Sequence, residues 1–586
     1  MLHLRRLASH RVAHRSTLRY PAYSSTSGAL QHPAPAPPAK DDGPDFNDAQ
    51  NAYAGISSFA LGRAWIVLKI CTFPALVDNA ETLLAGTRRV FGDGLVQTMV
   101  RPTFFNHFCA GTTEKDIRPT VEYLRKNGVG AILDYAAEAD VDEAPPPPLQ
   151  NDAPPAGATT PAPTPTHDDG GHRSERHERA WQSSRGQRKQ TTARIYDYST
   201  EQACDMNADI FASAIRAVHN VSPEGFAAIK VTALGNPLLL ERWSSSIVEI
   251  RRLFRRLDTD GDNRMTRDEF EASWKEMFVD TAKSNQYLDE LFRRLDVTRD
   301  GSIDLIEWTS SLKAADTFFI ARHCQDYGPF AQASLDESEV ELVDKLLDRA
   351  VRLVNLAEEL DVRVMFDAEH SYFQPAIHNI VLELQRKFNR GKEARVYNTF
   401  QCYLRDSDCE LSQHIERSER EGWHFACKLV RGAYMVLERD RADEQGYESP
   451  IHDTIENTHA CYNGAMRMVL GRDAVREGRS KANMLVASHN QGSIELALKL
   501  MSESGISRST GGVYFGQLLG MADHLTFSLG NSGYLAYKYL PYGPFYEVLP
   551  YLVRRAQENS SLLGNVEEER RMIKNELVRR IVPFMS

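Results

Sequence analysis

The sequence predicts an α/β fold: a (β/α)₈ barrel interrupted by an all-helical insertion and by a disordered proline-rich insertion. Eight short apolar runs recur along the chain, most of them followed by a helix-like stretch, and each run carries polar residues towards its end. Strands that are buried on both faces have continuous apolar sequences, and eight of them alternating with helices are typical of a closed parallel barrel. A repeated hexapeptide, LFRRLD, at 253–258 and 291–296 marks the helical insertion between the second and third runs.

The eight predicted strands share the placement of their polar residues. They are GVGAILDY with Asp134, FAAIKVTAL with Lys230, VRVMFDAEH with Asp367, RVYNTFQCY with Gln401, FACKLVRGAY with Lys428 and Arg431, NMLVASHN with His489 and Asn490, GGVYFGQLLG with Gln517, and LAYKYLPYG with Tyr539. The chemistry of such barrels lies at the carboxyl ends of the strands. Buried ion pairs could account for a few of these residues, but eight such runs in succession favour a functional site.

Length and charge restrict the function classes. The chain has 586 residues, enough for two or more units, and a net charge of −11 without a basic stripe, which argues against nucleic acid as a partner. The eight cysteines form no C-x-x-C pair and indicate thiols in a reducing compartment. No strand is followed by G-x-G-x-x-G, so a glycine-rich dinucleotide turn is not expected.

Targeting is predicted by the first forty residues. They contain five arginines and no Asp or Glu, a composition typical of a mitochondrial transit peptide, and a disordered basic tail is the alternative. No transmembrane helix is expected, because the most apolar segment is interrupted by Arg63 and Lys69. The segment 56–73 looks amphipathic and suits either membrane contact or core packing.

The predicted organisation follows these composition changes. It comprises a transit peptide and linker (1–40), N-terminal helices with the first strand (50–138), a disordered insert rich in Pro, Ala and Thr (139–194), a barrel continuation (195–240), the helical pair (241–315) and the remainder of the barrel (316–586).

The helical insertion contains two loops that resemble EF-hand calcium loops, DTDGDNRMTRDE (258–269) and DVTRDGSIDLIE (296–307). Such loops supply oxygen ligands at positions 1, 3, 5, 7, 9 and 12. Asn263 replaces the usual glycine at position 6 of the first loop, and asparagine tolerates the left-handed conformation required there. A degenerate pair retained for packing is the alternative. The candidate Ca²⁺ ligands are Asp258, Asp260, Asp262, the Arg264 carbonyl and Glu269 in loop one, and Asp296, Thr298, Asp300, the Ser302 carbonyl, Asp304 and Glu307 in loop two.

A closing helix is predicted after the eighth strand, in YLPYGPFYEVLPYLVRRAQEN. Pro544 stands near its start, and Glu547 in the first turn suits the positive end of the helix dipole. One face is apolar, while Tyr551, Arg554, Arg555 and Glu558 follow helical spacing on another. Adjacent arginines suit a small carboxylate ligand. A solvated face with an Arg554–Glu558 pair is the alternative.

This segment resembles the C-terminal signature of proline dehydrogenases. KLVRGAY (428–434), ASHN (487–490) and FDAEHSYFQPA (366–376) resemble other motifs of that family, and the resemblance covers about 50–135 and 196–586 apart from the helical insertion. It implies a distorted (β/α)₈ barrel with noncovalent FAD. It further implies oxidation of L-proline to Δ1-pyrroline-5-carboxylate, the first step of proline catabolism, with electrons passed to ubiquinone on the matrix side of the mitochondrial inner membrane.

The resemblance also implies residue roles. Lys230, Arg554 and Arg555 would hold the proline carboxylate, Asp367 would brace Arg555, and Glu138 would pair with Arg554 as a gate. The proline ring would be enclosed by Tyr539, Tyr551, Tyr434, Leu429 and Leu518. FAD would be lined by Asp367, Gln401, Lys428 near the flavin N5, Arg431, Gly432, Ala433, Thr458, His489, Asn490, Gln517 and Glu558. No catalytic base is evident, and the amine would lose its proton to water.

Two other functions compete with this interpretation. The first is a hydroxyproline dehydrogenase, in which a serine typically stands where this chain has Tyr539, so Tyr539 favours proline. The second is a catalytically inactive calcium-sensing scaffold, against which the intact Lys230, Asp367, Arg554 and Arg555 argue.

Overall fold

The chain forms a closed barrel of eight parallel strands in a computed structural model. The structure describes residues 43–136, 200–277, 282–312, 314–322, 329–391, 393–471, 475–476, 479–480, 482–561 and 563–581. The predicted transit segment, the proline-rich insert and Glu138 lie outside the described residues.

All eight predicted barrel strands are confirmed. They are β1 Val129–Tyr135, β2 Phe226–Ile229, β3 Arg363–Phe366, β4 Val396–Gln401, β5 Ala426–Val430, β6 Asn483–Ala487, β7 Val513–Leu518 and β8 Ala536–Tyr542. Each strand pairs with the next along the chain, and β8 closes the barrel by pairing in parallel with β1. Tyr539 lies opposite Ile132 on one side and Leu518 on the other.

Aromatic side chains fill the interior of the barrel. Phe226, Tyr397, Tyr514 and Tyr537 pack edge to face with ring centroids 5.2–6.2 Å apart. The Arg363 guanidinium, at the start of β3, lies 4.2 Å from the Phe226 centroid. Because this layer closes the barrel near the amino ends of the strands, the space for a ligand is at the carboxyl ends.

Helices surround the barrel and begin at identifiable caps. Thr200 and Asp336 accept hydrogen bonds from the third residue of the helix that each precedes. Two short strands, Val475–Arg476 and Arg479–Ser480, form a separate hairpin. The helices around the strands are Glu114–Lys126, Glu201–Val221, Glu337–Glu359, Gln374–Phe388, Ser407–Glu421, Met435–Gln445, Ile455–Leu470, Gln491–Glu503, Asp523–Asn531, Phe545–Ser561 and Leu563–Ile581.

Short helices precede the barrel. Their bounds are Ala49–Ala52, Ser58–Cys71, Pro74–Asp78, Ala80–Phe91, Asp93–Val100 and Asn106–Phe108, with a π-helical turn at Arg101–Phe105. Helix Ser58–Cys71 buries Leu61, Val67 and Leu68 and packs against helix Leu563–Ile581. Core packing therefore accounts for one face of the amphipathic segment 56–73.

The helical insertion has a core of its own. Helices Pro237–Leu257, Arg267–Met277, Ala282–Leu295 and Leu305–Ser311 form two helix–loop–helix units, whose loops pair through short antiparallel strands, Arg264–Thr266 and Ser302–Asp304. Helices Ala314–Arg322 and Pro329–Ala333 lead back to the barrel. Phe254, Phe270, Trp274, Phe292 and Trp308 are buried in this core.

The predicted boundaries of the insertion, 241 and 315, fall inside helices. The first helix begins at Pro237, before the predicted boundary, because the Asn236 side chain caps it by accepting a hydrogen bond from the Leu238 N–H at 2.9 Å. At the other end, helix Ala314–Arg322 runs across residue 315.

Arginines attach the insertion to barrel helix Ser407–Glu421. Both oxygens of Glu410 bind the Arg251 guanidinium, and the Arg417 guanidinium donates to Thr309 Oγ1 at 3.1 Å. Arg420 forms an ion pair with Asp304. This barrel helix joins β4 to β5, so the insertion contacts an element that positions the carboxyl end of the barrel.

Candidate active site

Three polar side chains from different strands meet at the carboxyl end of the barrel. Asp367 directly follows β3, Lys428 lies within β5, and Tyr539 lies within β8. The Tyr539 hydroxyl donates to Asp367 Oδ2 at 2.6 Å, and the Lys428 ammonium forms an ion pair with Asp367 Oδ1. Lys428 and Asp367 are almost completely buried. Asp367 therefore links β5 and β8, which are separated in the barrel by β6 and β7.

Burial and nearby carboxylates fix the protonation of Tyr539. Burial, Asp134 and Asp367 together raise the pKa of Tyr539 well above its usual value, so its hydroxyl stays protonated and can donate. Asp134 is the next-to-last residue of β1 and is buried, and the sequence counted it among the strand-end polar residues without assigning it a role. Its position near the end of a strand is the only sequence feature that could have placed Asp134 in the candidate site.

The closing helix, Phe545–Ser561, brings ligand-binding groups to the same region. Its core contacts include Leu518 at the end of β7, and Tyr551 also contributes to the pKa shift of Tyr539. Among the described residues, the buried Tyr551 hydroxyl and Arg555 Nε have no hydrogen-bond partner. The Arg555 guanidinium lies 5.1 Å from the Tyr551 ring centroid, and Arg554 is half-buried on the same helix. A buried donor without a partner is costly, so these groups suit a polar ligand.

Lys230 directly follows Ile229, the last residue of β2. It is half-buried near Glu369, which accepts a hydrogen bond from the Thr232 N–H at 3.1 Å. Burial raises the pKa of Glu369, and the hydrogen bonds from Thr232 and the Lys230 charge partly oppose that increase. Glu369 lies within FDAEHSYFQPA, but nothing in the sequence pointed to this contact.

Two residue roles implied by the family resemblance differ from the contacts seen in the structure. Asp367 does not brace Arg555: its two oxygens bind Lys428 and Tyr539, whereas Arg555 Nη1 pairs with Glu558 one helical turn away at 2.6 Å. Leu429 is completely buried in the core between strands and helices and does not face the barrel interior. Neighbouring residues of a strand face opposite sides, and Lys428 takes the inward position.

The loop after β5 is shaped by Arg431 and Gly432. The Arg431 guanidinium contacts His459 Nδ1 at 2.9 Å, Ser488 Oγ at 2.8 Å and Ser493 Oγ at 2.9 Å. Gly432 has φ of 136°, and a Cβ there would lie 2.5 Å from atoms of the Tyr403 ring. Only glycine fits this position. Gly432 and Ala433 are both exposed at the barrel mouth.

Polar groups of β4, β6 and β7 lie around this loop. His489 Nε2 accepts from the Leu518 N–H at 3.1 Å, and burial with Lys538 and Arg555 nearby lowers the pKa of His489 to about 3. His489 is therefore a neutral acceptor, and it lines a cavity with Met521 and Asn559. Gln401 donates to the Glu369 carbonyl, Gln517 donates to the Ser488 carbonyl, Asn490 caps helix Gln491–Glu503, and Thr458 is buried in helix Ile455–Leu470.

A second layer of buried polar residues supports Tyr434. The Tyr434 ring lies 4.3 Å from the His370 ring, and Glu438 accepts from the Ser371 N–H at 2.6 Å. Burial alone would raise the pKa of Glu438, but His370 and Ser371 outweigh burial and lower it. These residues were missed because their partners lie far apart in the chain.

The two loops of the insertion differ in their electrostatics. In loop one, Asp258, Asp260 and Asp262 place carboxylate oxygens within 4.8 Å of one another. Asn263 adopts the expected left-handed conformation, with φ of 63°. Glu269 accepts from the Thr266 N–H at 2.9 Å, so it caps the start of helix Arg267–Met277, in which it is the third residue.

In loop two, arginines already bind two candidate ligands. Asp300 Oδ2 accepts from Arg264 Nη2 at 2.5 Å, and Asp304 pairs with Arg420. Hydrogen bonds from Ser302 and Arg264 lower the pKa of Asp300 to about 2. Glu307 accepts from the Thr298 and Asp304 N–H groups at 2.8 and 3.1 Å, and Asp296 from the Gly301 N–H.

Within the described part of the chain, none of the helices is both long enough and apolar enough to cross a bilayer.

Comparison with known proteins gives a consistent result. Residues 180–568 match the family model described as proline dehydrogenase. The chain is 36% identical over 547 residues to human "Proline dehydrogenase 1, mitochondrial", covering 92% of this chain and 90% of the human protein. It is 38% identical over 550 residues to the Caenorhabditis elegans protein of the same name, covering 92% and 88%. Xenopus laevis "Hydroxyproline dehydrogenase" is 28% identical over 525 residues, covering 90% and 88%.

Proposed function

The chain belongs to the proline dehydrogenase family of oxidoreductases, and we propose that it oxidises L-proline to Δ1-pyrroline-5-carboxylate with FAD as cofactor and ubiquinone as electron acceptor. The proposal rests on two sets of polar groups that the fold brings to the barrel mouth. The Asp367–Lys428–Tyr539 cluster lies on the strands, and the closing helix supplies Tyr551 and Arg555 with unsatisfied donors. The names of the relatives support a mitochondrial location, and the matrix side of the inner membrane is the finer location that we propose.

In the proposed complex, cations hold the substrate carboxylate. Arg555, Arg554 and Lys230 would bind it, because guanidinium groups form charge-assisted hydrogen bonds with carboxylates. Tyr539, Leu518, Tyr551 and Tyr434 would enclose the ring. Holding one end of a five-membered ring fixes the orientation of the carbon at the other end, and orientation of this kind lowers the barrier to transfer.

The residues around the loop after β5 fit a flavin. Arg431, neutral His489 and Gln517 offer donors and acceptors of fixed orientation, and exposed Gly432 and Ala433 leave the backbone accessible. FAD would supply the acceptor for the hydride when bound. Gln401, Lys428, Asn490, Thr458, Asp367 and Glu558 are the other proposed contacts.

The colour of the protein tests this function. The purified chain is expected to be yellow and to bleach when L-proline is added without an electron acceptor. A colourless protein that binds no flavin would favour the calcium-sensing scaffold.

Replacing Tyr539 by serine is expected to shift preference towards trans-4-hydroxy-L-proline, mainly by lowering kcat/KM for proline. The serine removes ring contact and the 2.6 Å hydrogen bond to Asp367. Tyr539→Phe is the matched control, since it removes only the hydrogen bond and should keep the preference for proline. If both kcat/KM values of Tyr539→Ser equal those of the wild type, Tyr539 does not touch the ring.

We also propose that loop one binds calcium and that loop two does so weakly. Loop one gathers three carboxylates, whereas calcium at loop two would have to displace Arg264 from Asp300 and Arg420 from Asp304. Calcium at loop one would tune activity through helix Ser407–Glu421, which the insertion contacts through Arg251 and Arg417. A purely structural calcium site is the alternative.

Calorimetric titration of the wild type is expected to show one dominant calcium site. Glu269→Gln should abolish it, because loop one loses its bidentate ligand. The matched variant Glu307→Gln in loop two should leave it nearly unchanged. Loss of the dominant site in Glu307→Gln instead would reverse the assignment of the loops.

Turnover with proline and a soluble quinone, measured from nanomolar to millimolar calcium, separates tuning from a structural role. The double variant Glu269→Gln, Glu307→Gln should keep its flavin and lose any response. Equal wild-type rates across this range, with and without membranes, would reject tuning.

A further inference from the structure

The loop that follows β7 contains backbone that needs support from other elements. Leu518 ends β7, and Ala522 directly precedes helix Asp523–Asn531, so we call residues 518–523 the β7 loop. Ala522 has φ of 49° and ψ of 44°, a left-handed conformation that costs free energy for a residue with a Cβ. The first N–H groups of a helix also lack partners within that helix. The β7 loop therefore keeps this conformation only where neighbouring groups fix it.

A carboxylate from the last helix provides this support. Glu569 lies on helix Leu563–Ile581 and is 6% exposed. Its Oε2 accepts from the Ala522 N–H at 3.1 Å, and its Oε1 accepts from the Asp523 N–H at 3.0 Å. One side chain thus holds the left-handed residue and caps the helix that follows, and it uses both carboxylate oxygens as acceptors.

Lys538 of β8 binds the same loop. Its buried ammonium donates to the Leu518 and Met521 carbonyls at 3.2 and 2.7 Å. It also pairs with Asp523 at 2.7 Å. Two charged groups of opposite sign, from a strand and from the last helix, therefore fix the backbone of the β7 loop.

The β7 loop connects this cluster to the candidate active site. Leu518 packs against the core that contains Tyr551 of the closing helix, and the Leu518 N–H donates to His489 Nε2 at 3.1 Å. His489, Asn559 of the closing helix and Glu569 line one cavity. A displacement of the loop would therefore move Leu518 and change its hydrogen bond to His489 at the same time.

We propose that Glu569 is a positioning residue for substrate binding: its carboxylate fixes the β7 loop and so places Leu518 against the substrate ring. The inference rests on the proposed function, in which Leu518 encloses the ring of L-proline. The ionised form is required, because an amide or a protonated carboxyl group would turn a donor towards one of the two N–H groups. The proposed carboxylate-binding residues, Lys230, Arg554 and Arg555, lie on other elements. Loosening the loop should therefore weaken contacts to the ring and spare those to the carboxylate.

The surroundings of Glu569 make its charge depend on pH. Burial and the Asp523 charge raise the pKa of Glu569 to about 7, while the Asp523 N–H, the Lys538 charge and the Ala522 N–H oppose the increase. The carboxylate is therefore ionised above this pH and takes up a proton as the pH falls through it. Its support of the β7 loop is present above about pH 7 and weakens below it.

The other groups around this cluster do not share this titration. Burial lowers the pKa of His524 and His107 to about 4 and that of His489 to about 3, so all three imidazoles are neutral near pH 7. Burial, with Glu569 and Asp523 nearby, raises the pKa of Tyr53 well above its usual value, so its hydroxyl stays protonated. The remaining charged side chains near the cluster are Arg63 on an N-terminal helix and Glu568 in the cavity wall.

Binding of two ligands to the full-length, flavin-loaded protein tests the role of Glu569. Tetrahydrofuran-2-carboxylate has the five-membered ring and the carboxylate of the substrate, whereas acetate has the carboxylate alone. Changes in the flavin absorbance spectrum give both dissociation constants without turnover. Glu569→Gln should weaken binding of tetrahydrofuran-2-carboxylate by about fivefold, as expected for the loss of one side-chain cap, and should leave acetate binding nearly unchanged.

The pH dependence gives a second measurement. The wild type should bind tetrahydrofuran-2-carboxylate less tightly as the pH falls through about 7, because Glu569 takes up a proton there. Glu569→Gln has no such group, so its dissociation constant should stay at the weaker value on both sides of neutral pH.

Glu576→Gln is the matched control. Glu576 lies on the same helix and is 2% exposed, but its carboxylate pairs with Arg579 and Arg580 of that helix. This variant should bind both ligands like the wild type, whatever its effect on the thermal midpoint.

Unchanged binding in Glu569→Gln, or equal weakening of both ligands, would overturn the proposal. If this variant does not fold, the wild type alone decides, since a dissociation constant that is the same above and below neutral pH would also overturn it. A wild type with Glu569-dependent ligand binding that L-proline does not bleach would contradict the proposed function and leave the positioning role intact.

Discussion

Replacing Arg555 by methionine is expected to raise the KM for L-proline by about tenfold to a hundredfold while FAD stays bound. Removing a charge-assisted partner of a carboxylate costs about 1.5–3 kcal/mol. Arg555 lies beside Tyr551 on the closing helix and retains an unsatisfied donor, so it is available to a ligand. Steady-state kinetics with a soluble acceptor measures the change, and the flavin absorbance reports cofactor content.

Arg571→Met is the matched control for this experiment. Arg571 is exposed on the next helix and pairs with Glu568 at 3.2 Å, so its loss should leave KM unchanged. A variant of Arg555 with the wild-type KM and full flavin content would remove Arg555 from the substrate site.

Asp367→Asn is expected to lower both stability and turnover. The substitution leaves the Lys428 ammonium buried without a counter-ion, and breaking one partner of a buried ion pair costs about 3–5 kcal/mol. It also weakens the acceptor for the Tyr539 hydroxyl, which fixes the orientation of that ring. The urea midpoint should fall, and kcat should fall even where the protein remains folded.

A second substitution separates the ion pair from a general loss of packing. Lys428→Met removes the orphaned charge, so Asp367→Asn combined with Lys428→Met should be less destabilised than the sum of the two single variants. Additive shifts of the midpoint would show that Asp367 and Lys428 do not interact in the folded protein.

The sequence by itself determined the elements of this fold. The eight apolar runs form the eight barrel strands. A strand that is buried on both faces needs a continuous apolar sequence, and this property can be read from each run alone. Pro544 and the apolar stripe likewise placed the closing helix, which runs from Phe545 to Ser561 with Leu552, Val553 and Ala556 buried. The strand-end positions also identify Asp367, Lys428 and Tyr539 as candidate site residues without any information on the contacts between them.

Only the tertiary structure decided which of these residues are partners. Asp367 binds Lys428 and Tyr539, and Arg555 binds Glu558, because strand order and helix packing bring together atoms that are far apart in the chain. Arg420 reaches loop two from a barrel helix, a contact that the loop motif could not indicate. The exposure of Val90 and Phe91 likewise depends on which elements pack nearby, since an amphipathic pattern specifies an apolar face but does not specify what covers it.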